Sequence, residues 1–170
     1  LERAGIVTRT EDGRRVTYAL TACGLQLEPV VMGLGLWAQS WLHELGDEDL
    51  DPHLLMWDMK RTISAVGWPR GRTLVRVRLH GTERTASRWW IVVAGDDVDI
   101  CDFDPGFEPA AEITTSLRAL TMVWRGDVAW AEAVASGAVA IDAPVDVRRA
   151  VPGWIGVSRL ATMHAHVVTG

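Results

Sequence analysis

The stretch AEITTSLRALTMVWRGD, residues 111–127, decides the fold class of this chain. Ala110–Thr115 reads as a β-strand, and Ser116 directly after it is a side-chain cap for a helix running to Trp124. Leu117, Leu120 and Trp124 recur at helical spacing and share one face. Asp127 is the expected cap of a further helix that ends at Ser136-Gly137. Ala138–Asp142 then reads as a short strand, and Pro144 opens a final helix in its first turn, where a missing N–H costs least. Strands leading into helices and back into strands imply a mixed α/β layer.

Working upstream, three strand-like runs precede this segment. Thr73–His80 alternates, with Val75, Val77 and Leu79 on one face and Arg76 and Arg78 on the other. Arg88–Ala94 is apolar on both faces, as a central strand would be. Val98–Phe103 alternates again after a Gly95-Asp96-Asp97 turn, and Asp104-Pro105-Gly106 breaks the chain. Before them, residues 53–66 read as a helix carrying Leu54, Leu55, Met59 and Ile63, followed by a Trp68-Pro69-Arg70-Gly71 turn. The acidic run Gly46–Pro52 reads as a boundary, with residues 47–52 as linker between a unit at 1–46 and a domain at 53–163.

The N-terminal unit begins with what reads as the last turn of a helix, closed by Gly5. Ile6–Thr10 and Arg15–Leu20 flank an Asp12-Gly13 turn and form a hairpin. Thr21 is the expected cap of a long helix reaching about Leu45, with an apolar stripe through Leu27, Val30, Val31, Leu34, Ala38, Trp41 and Leu45. Pro29 would kink or restart that helix. Gly33 and Gly35 each cost roughly 1 kcal/mol against Ala in a helix interior, so it needs packing from elsewhere. That packing is either a homodimer interface through residues 21–45 or the helix's own domain. Leu1 is not a start methionine, and the chain is expected to be the C-terminal part of a longer protein.

The 170 residues carry a net charge of −5, which argues against nonspecific nucleic-acid binding by the whole chain and leaves room for a local basic patch. Cys23 and Cys101 are far apart, without the spacing of a zinc site or a disulfide framework, so a reducing, cytoplasmic setting is expected. No signal peptide or spanning segment is read in the sequence. Catalysis has no support: Ser and Cys lack a nearby His or an elbow motif, and no Gly-rich loop for phosphates follows a strand. The five histidines lack metal-ligand spacing, and the acidic run Asp96–Asp104 does not fit a calcium loop. No enzyme activity, cofactor or metal is therefore expected.

Of nine tryptophans, seven follow the boundary: Trp57, Trp68, Trp89, Trp90, Trp124, Trp130 and Trp154. Tryptophan buries a large apolar area yet keeps an N–H donor, which suits either a cavity wall or a plain core. Trp89, Ile91 and Val93 share one strand face, while Trp130 and Val134 share a face of the helix after Asp127.

Two resemblances add to this reading. Leu1-Glu2-Arg3-Ala4-Gly5-Ile6-Val7, Val16-Thr17-Tyr18-Ala19-Leu20-Thr21 and Gly24 make residues 1–45 similar to the end of the winged helix-turn-helix of the HxlR family of bacterial transcription regulators. That family's recognition helix would lie before Leu1. The resemblance implies that Arg9, Arg14 and Arg15 at the wing contact operator DNA, since guanidinium forks suit phosphate oxygens; the other reading is a solvated turn. Residues 53–161 resemble the sterol carrier protein 2-like domain. The matching pieces are Ala111–Ser116 with Leu117 and Leu120, then Trp124-Arg125-Gly126-Asp127, then Ala133 and Ser136–Ile141. This resemblance implies a five-stranded sheet with helices enclosing an apolar tunnel that takes lipids or other hydrophobic molecules. Trp57, Trp89, Ile91, Val93, Leu117, Leu120, Trp124, Trp130 and Val134 would then line it.

The combined expectation is a transcriptional regulator whose C-terminal domain binds a hydrophobic small-molecule or lipid effector. The alternative is a carrier of lipids or hydrophobic metabolites without DNA binding. A third reading, an accessory domain of an enzyme, has no catalytic residues to support it.

Overall fold

The computed structural model describes the backbone of residues 1–41 and 45–168, and the side chains of residues 1–41 and 45–163. The chain divides into two compact units, Leu1–Glu44 and Leu45–Gly170. The acidic stretch expected as a linker therefore falls inside the second unit.

In the first unit, β1 (Val7–Asp12) and β2 (Arg15–Leu20) pair antiparallel, with Asp12 opposite Arg15. The two-residue loop has positive φ at Gly13 alone, the pattern of a II′ turn. Thr21 caps as expected, its Oγ accepting from the Gly24 amide at 3.0 Å and donating to the Gly5 carbonyl at 2.6 Å. A Cβ on Gly24 would lie 2.2 Å from the Ile6 carbonyl oxygen, so this close approach admits only glycine. The expected single helix from Thr21 is instead two: α1 (Ala22–Leu25) and α2 (Glu28–Trp41). Pro29 explains the break, because it sits in the first turn of α2, where an N–H has no intrahelical partner to lose. Residues 42–44, the end of the expected helix, lie outside the described residues.

The second unit opens with a 3-10 turn at Asp47–Asp49, followed by α3 (Pro52–Thr62). Asp51 caps α3, accepting from the His53 and Leu54 amides. This helix stops four residues short of the expected 66. Then come β3 (Arg72–His80), β4 (Arg88–Ala94), β5 (Asp97–Cys101) and β6 (Ala111–Ser116), followed by α4 (Leu117–Arg125), α5 (Trp130–Ala135) and β7 (Val139–Asp142). The unit closes with α6 (Val145–Ile155) and α7 (Arg159–Val168).

The five strands order as β5-β4-β3-β6-β7, with β3 and β6 parallel and every other pair antiparallel. This is the mixed α/β layer with a five-stranded sheet expected from the sequence. No described helix is long and apolar enough to cross a membrane.

One face of the sheet carries the core. Val75, Val77, Leu79, Ile91, Val93, Ile113 and Val139 pack with Met56 and Met59 of α3, Leu120 and Val123 of α4, and Val151 and Ile155 of α6. Each such side chain contributes roughly 1.5–3 kcal/mol when fully buried. Ser116 caps α4 through the Ala119 amide at 3.1 Å. Gly126 closes that helix at φ 80°, and a Cβ there would stand 2.8 Å from Ala161 of α7.

Three local expectations are corrected. Asp127 does not cap α5, whose cap position is Ala129 without a side-chain bond; its carboxylate is drawn to Arg125 at 2.8 Å. Pro144 occupies the cap position of α6 rather than its first turn. Finally, α6 is not the last helix, since Gly156 at φ 71° turns the chain into α7.

Candidate functional site

The connection between β3 and β4 meets the N-terminal ends of α3 and α4 around a depression of about 660 Å³. Leu50, Pro52, Ala86 and Leu117 supply its apolar surface, while His53, His80, Thr82, Glu83, Thr85 and Ser116 supply polar groups. Asp51 and Ser116 position two of these walls by capping their helices, which sets where α3 and α4 begin.

Arg118 closes one side. Its guanidinium donates to the Leu45 carbonyl at 2.7 Å and pairs with Asp47 at 2.6 Å, which holds the 45–49 segment against α4. A cation in the first turn of a helix opposes the macrodipole, so this pairing offsets an unfavourable position. The exposed His53 ring stands edge-on to the buried Trp89, with centroids 5.0 Å apart. The Trp89 indole N–H donates to the carbonyl of Ala86 at 2.8 Å, so the same loop that lines the depression anchors the tryptophan beneath it.

The sequence-derived ligand residues divide into three groups. Trp89, Ile91, Val93, Leu117, Leu120 and Trp124 come together in the core, and of these Leu117 also lines the depression. Trp130 packs at the core's margin with its N–H on the Gly156 carbonyl. Trp57 and Val134 do not face the interior: Trp57 is 55% exposed on α3 with the Arg61 guanidinium 4.2 Å over its ring, and Val134 is exposed on α5. Helical spacing correctly groups residues on a face, but it does not say which face meets the sheet.

The tryptophans also act as joints. Trp124 donates to Asp58 at 2.8 Å, tying α4 to α3, and Trp68 donates to the Trp154 carbonyl while stacking on that ring at 5.2 Å. These indole donors are satisfied by the protein itself, which is what a buried N–H requires.

Sequence reasoning missed His53, Ala86 and Arg118, which come from three separated segments with no shared spacing. Arg118 carried a usable signal: an arginine in the first turn of a helix whose cap was already legible.

Burial pushes the Cys101 thiol up, away from the reactive thiolate. Among the described residues, no group of three His, Cys, Asp or Glu side chains is placed to hold a metal ion.

In the first unit, Arg9 is ion-paired with Glu11 on the same strand face, so its charge is locally answered. Arg14 and Arg15 sit at the hairpin tip, exposed.

No family profile and no curated protein matches this chain. Solved structures do. A ubiquinone synthesis protein titled UbiJ-SCP2 superposes with a TM-score of 0.40 at 13% identity, over 81% of this chain and 98% of its own. Sterol carrier protein 2 like 2 from Aedes aegypti matches with a TM-score of 0.42 at 12% identity, over 59% and 93%. The sterol carrier protein domain 2 of Helicoverpa armigera matches with a TM-score of 0.37 at 14% identity, over 78% and 87%. These are similarities of chain path; the mixed α/β architecture itself stands on the strand order and register described above.

Proposed function

We propose that the second unit binds a hydrophobic or amphipathic small molecule of the lipid class and serves as its carrier. The observation that supports this reading most is the depression at the α3 and α4 N-termini, whose apolar wall of Leu50, Pro52, Ala86 and Leu117 lies directly over a tryptophan- and methionine-rich core. Methionine side chains adapt to irregular shapes, so Met56 and Met59 leave this core able to yield to an entering chain. The polar rim suits the headgroup end of such a ligand. Titration with fatty acids and sterols, followed by tryptophan fluorescence, tests the reading; saturable quenching or a spectral shift is expected, and no response to either class would overturn it.

A second reading rests on the first unit. Its hairpin presents Arg14 and Arg15, and α2 carries exposed Val30, Val31, Leu34, Trp37 and Trp41. These features favour a regulator that dimerises through 21–45 and reaches operator DNA through a complete winged helix, with the ligand as effector. The expected outcome is a low-salt gel shift by the protein that Arg14→Gln with Arg15→Gln weakens; absence of any shift contradicts it.

A further inference from the structure

On the sheet face opposite the core, three strands place polar side chains in one row. Arg88 of β4 is directly opposite Arg78 of β3, and Arg78 is in turn opposite Thr114 of β6. Residues opposite one another on neighbouring strands project to the same face, and like charges so placed repel. Arg84, from the connection before β4, joins them, and the Ser87 hydroxyl holds this turn by donating to the Arg84 carbonyl at 2.8 Å. These residues and His80 line a depression of about 480 Å³.

The local carboxylate does not cancel this charge. Glu112 is shared: it pairs with Arg76 and also receives the Nε of Arg78 at 2.7 Å. Among the described residues, neither Arg84 nor Arg88 has a carboxylate within ion-pair distance. The protein therefore holds three guanidinium groups around one concavity, two of them in a repulsive register, with one shared counter-charge. A bound anion would relieve that arrangement.

We propose that Arg78, Arg84 and Arg88, with the hydroxyl of Thr114, form a binding site for a phosphate group. Guanidinium forks match the oxygens of a phosphate, and the Thr114 hydroxyl adds one further donor. The site is distinct from the apolar depression, and it does not depend on the hydrophobic-ligand reading, although His80 borders both concavities. The shared chemistry covers two sources, a free phosphate or a phospholipid headgroup.

The full chain is titrated with inorganic phosphate at low ionic strength by calorimetry, against sodium chloride of matched ionic strength. Saturable binding is expected for the native chain, with at least a tenfold loss of affinity in the Arg84→Gln, Arg88→Gln double variant and no change in Arg70→Gln, an exposed arginine outside the site. Melting without phosphate controls for folding: the double variant should melt at or above the native temperature, because a repulsion has been removed. Capture on phosphatidic acid vesicles but not phosphatidylcholine vesicles, lost in the double variant, assigns the site to a headgroup; phosphate binding without such capture assigns it to a free phosphate. The proposal is overturned if neither probe binds, if chloride acts as well as phosphate, or if the double variant binds both as the native chain does.

Discussion

The two units of this chain solve the problem of apolar surface in opposite ways. In the second, nearly every large apolar side chain of the sheet's inner face is buried; in the first, Gly24 is the one buried position among the described residues. The first unit is held by backbone pairing and by Thr21, while most of its leucines and valines and both its tryptophans stand open. A two-stranded hairpin with α1 and α2 lacks the layers needed to bury such surface. The difference teaches that apolar content does not by itself mark a core: α2 is apolar around much of its circumference, whereas α4 gathers its apolar side chains on one face and lays them against the sheet.

The largest expected effect separates the units by one residue type. Trp124 is 4% exposed and Trp41 is 71% exposed. Trp124→Ala should cost about 3–5 kcal/mol of stability, by cavity formation and loss of the bond to Asp58. Trp41→Ala should stay within about 0.5 kcal/mol. Chemical denaturation of both variants checks this, and equal losses would break the comparison.

A smaller effect sharpens it. Gly24→Val forces a Cβ into the Ile6 carbonyl, so the β1–β2 hairpin should loosen while the second unit keeps its melting transition. Amide exchange resolved by unit would show the change confined to residues 1–41.

The smallest effect concerns pH. Lys60 of α3 bonds Asp99 of β5 at 2.6 Å, which holds the Asp99 carboxyl below its ordinary range and the Lys60 ammonium above its own. Asp99, with its folded pKa depressed, contributes stability above the ordinary carboxylate range and loses it as pH falls through the folded value. Lys60, with its folded pKa raised, contributes fully below the ordinary ammonium range and loses it as pH rises through the folded value. Both groups are about half exposed, so solvent screens the pair. Asp99→Asn should flatten a shallow acid-side slope in thermal stability, matching the native chain at low pH and falling slightly below it near neutrality.

Much of the architecture was legible because its signals are local. Ser116 before Leu117, Thr21 before Ala22 and the alternation of 73–80 each act within a few residues, and each appears in the structure as read. Asp127 failed because α5 begins later, with Ala129 at its cap position, and the Asp127 carboxylate pairs with the Arg125 guanidinium instead, an outcome spacing cannot decide. Trp57 failed because helical period groups residues without orienting the helix. The depression was illegible because Leu50, His53, Ala86 and Leu117 converge only once β3 and β6 pair in parallel, across a long sequence separation.

The central claim is that the apolar wall at the α3 and α4 N-termini admits a hydrophobic ligand. Thr85 lines that depression and is exposed, so Thr85→Arg adds charge and bulk at the rim without entering the core. Binding of a fluorescent fatty acid to the native chain and to this variant, with their melting temperatures compared, is the most direct measurement. The account predicts saturable binding by the native chain, weakened at least tenfold in Thr85→Arg at unchanged melting temperature; no binding, or equal binding by both, would contradict it.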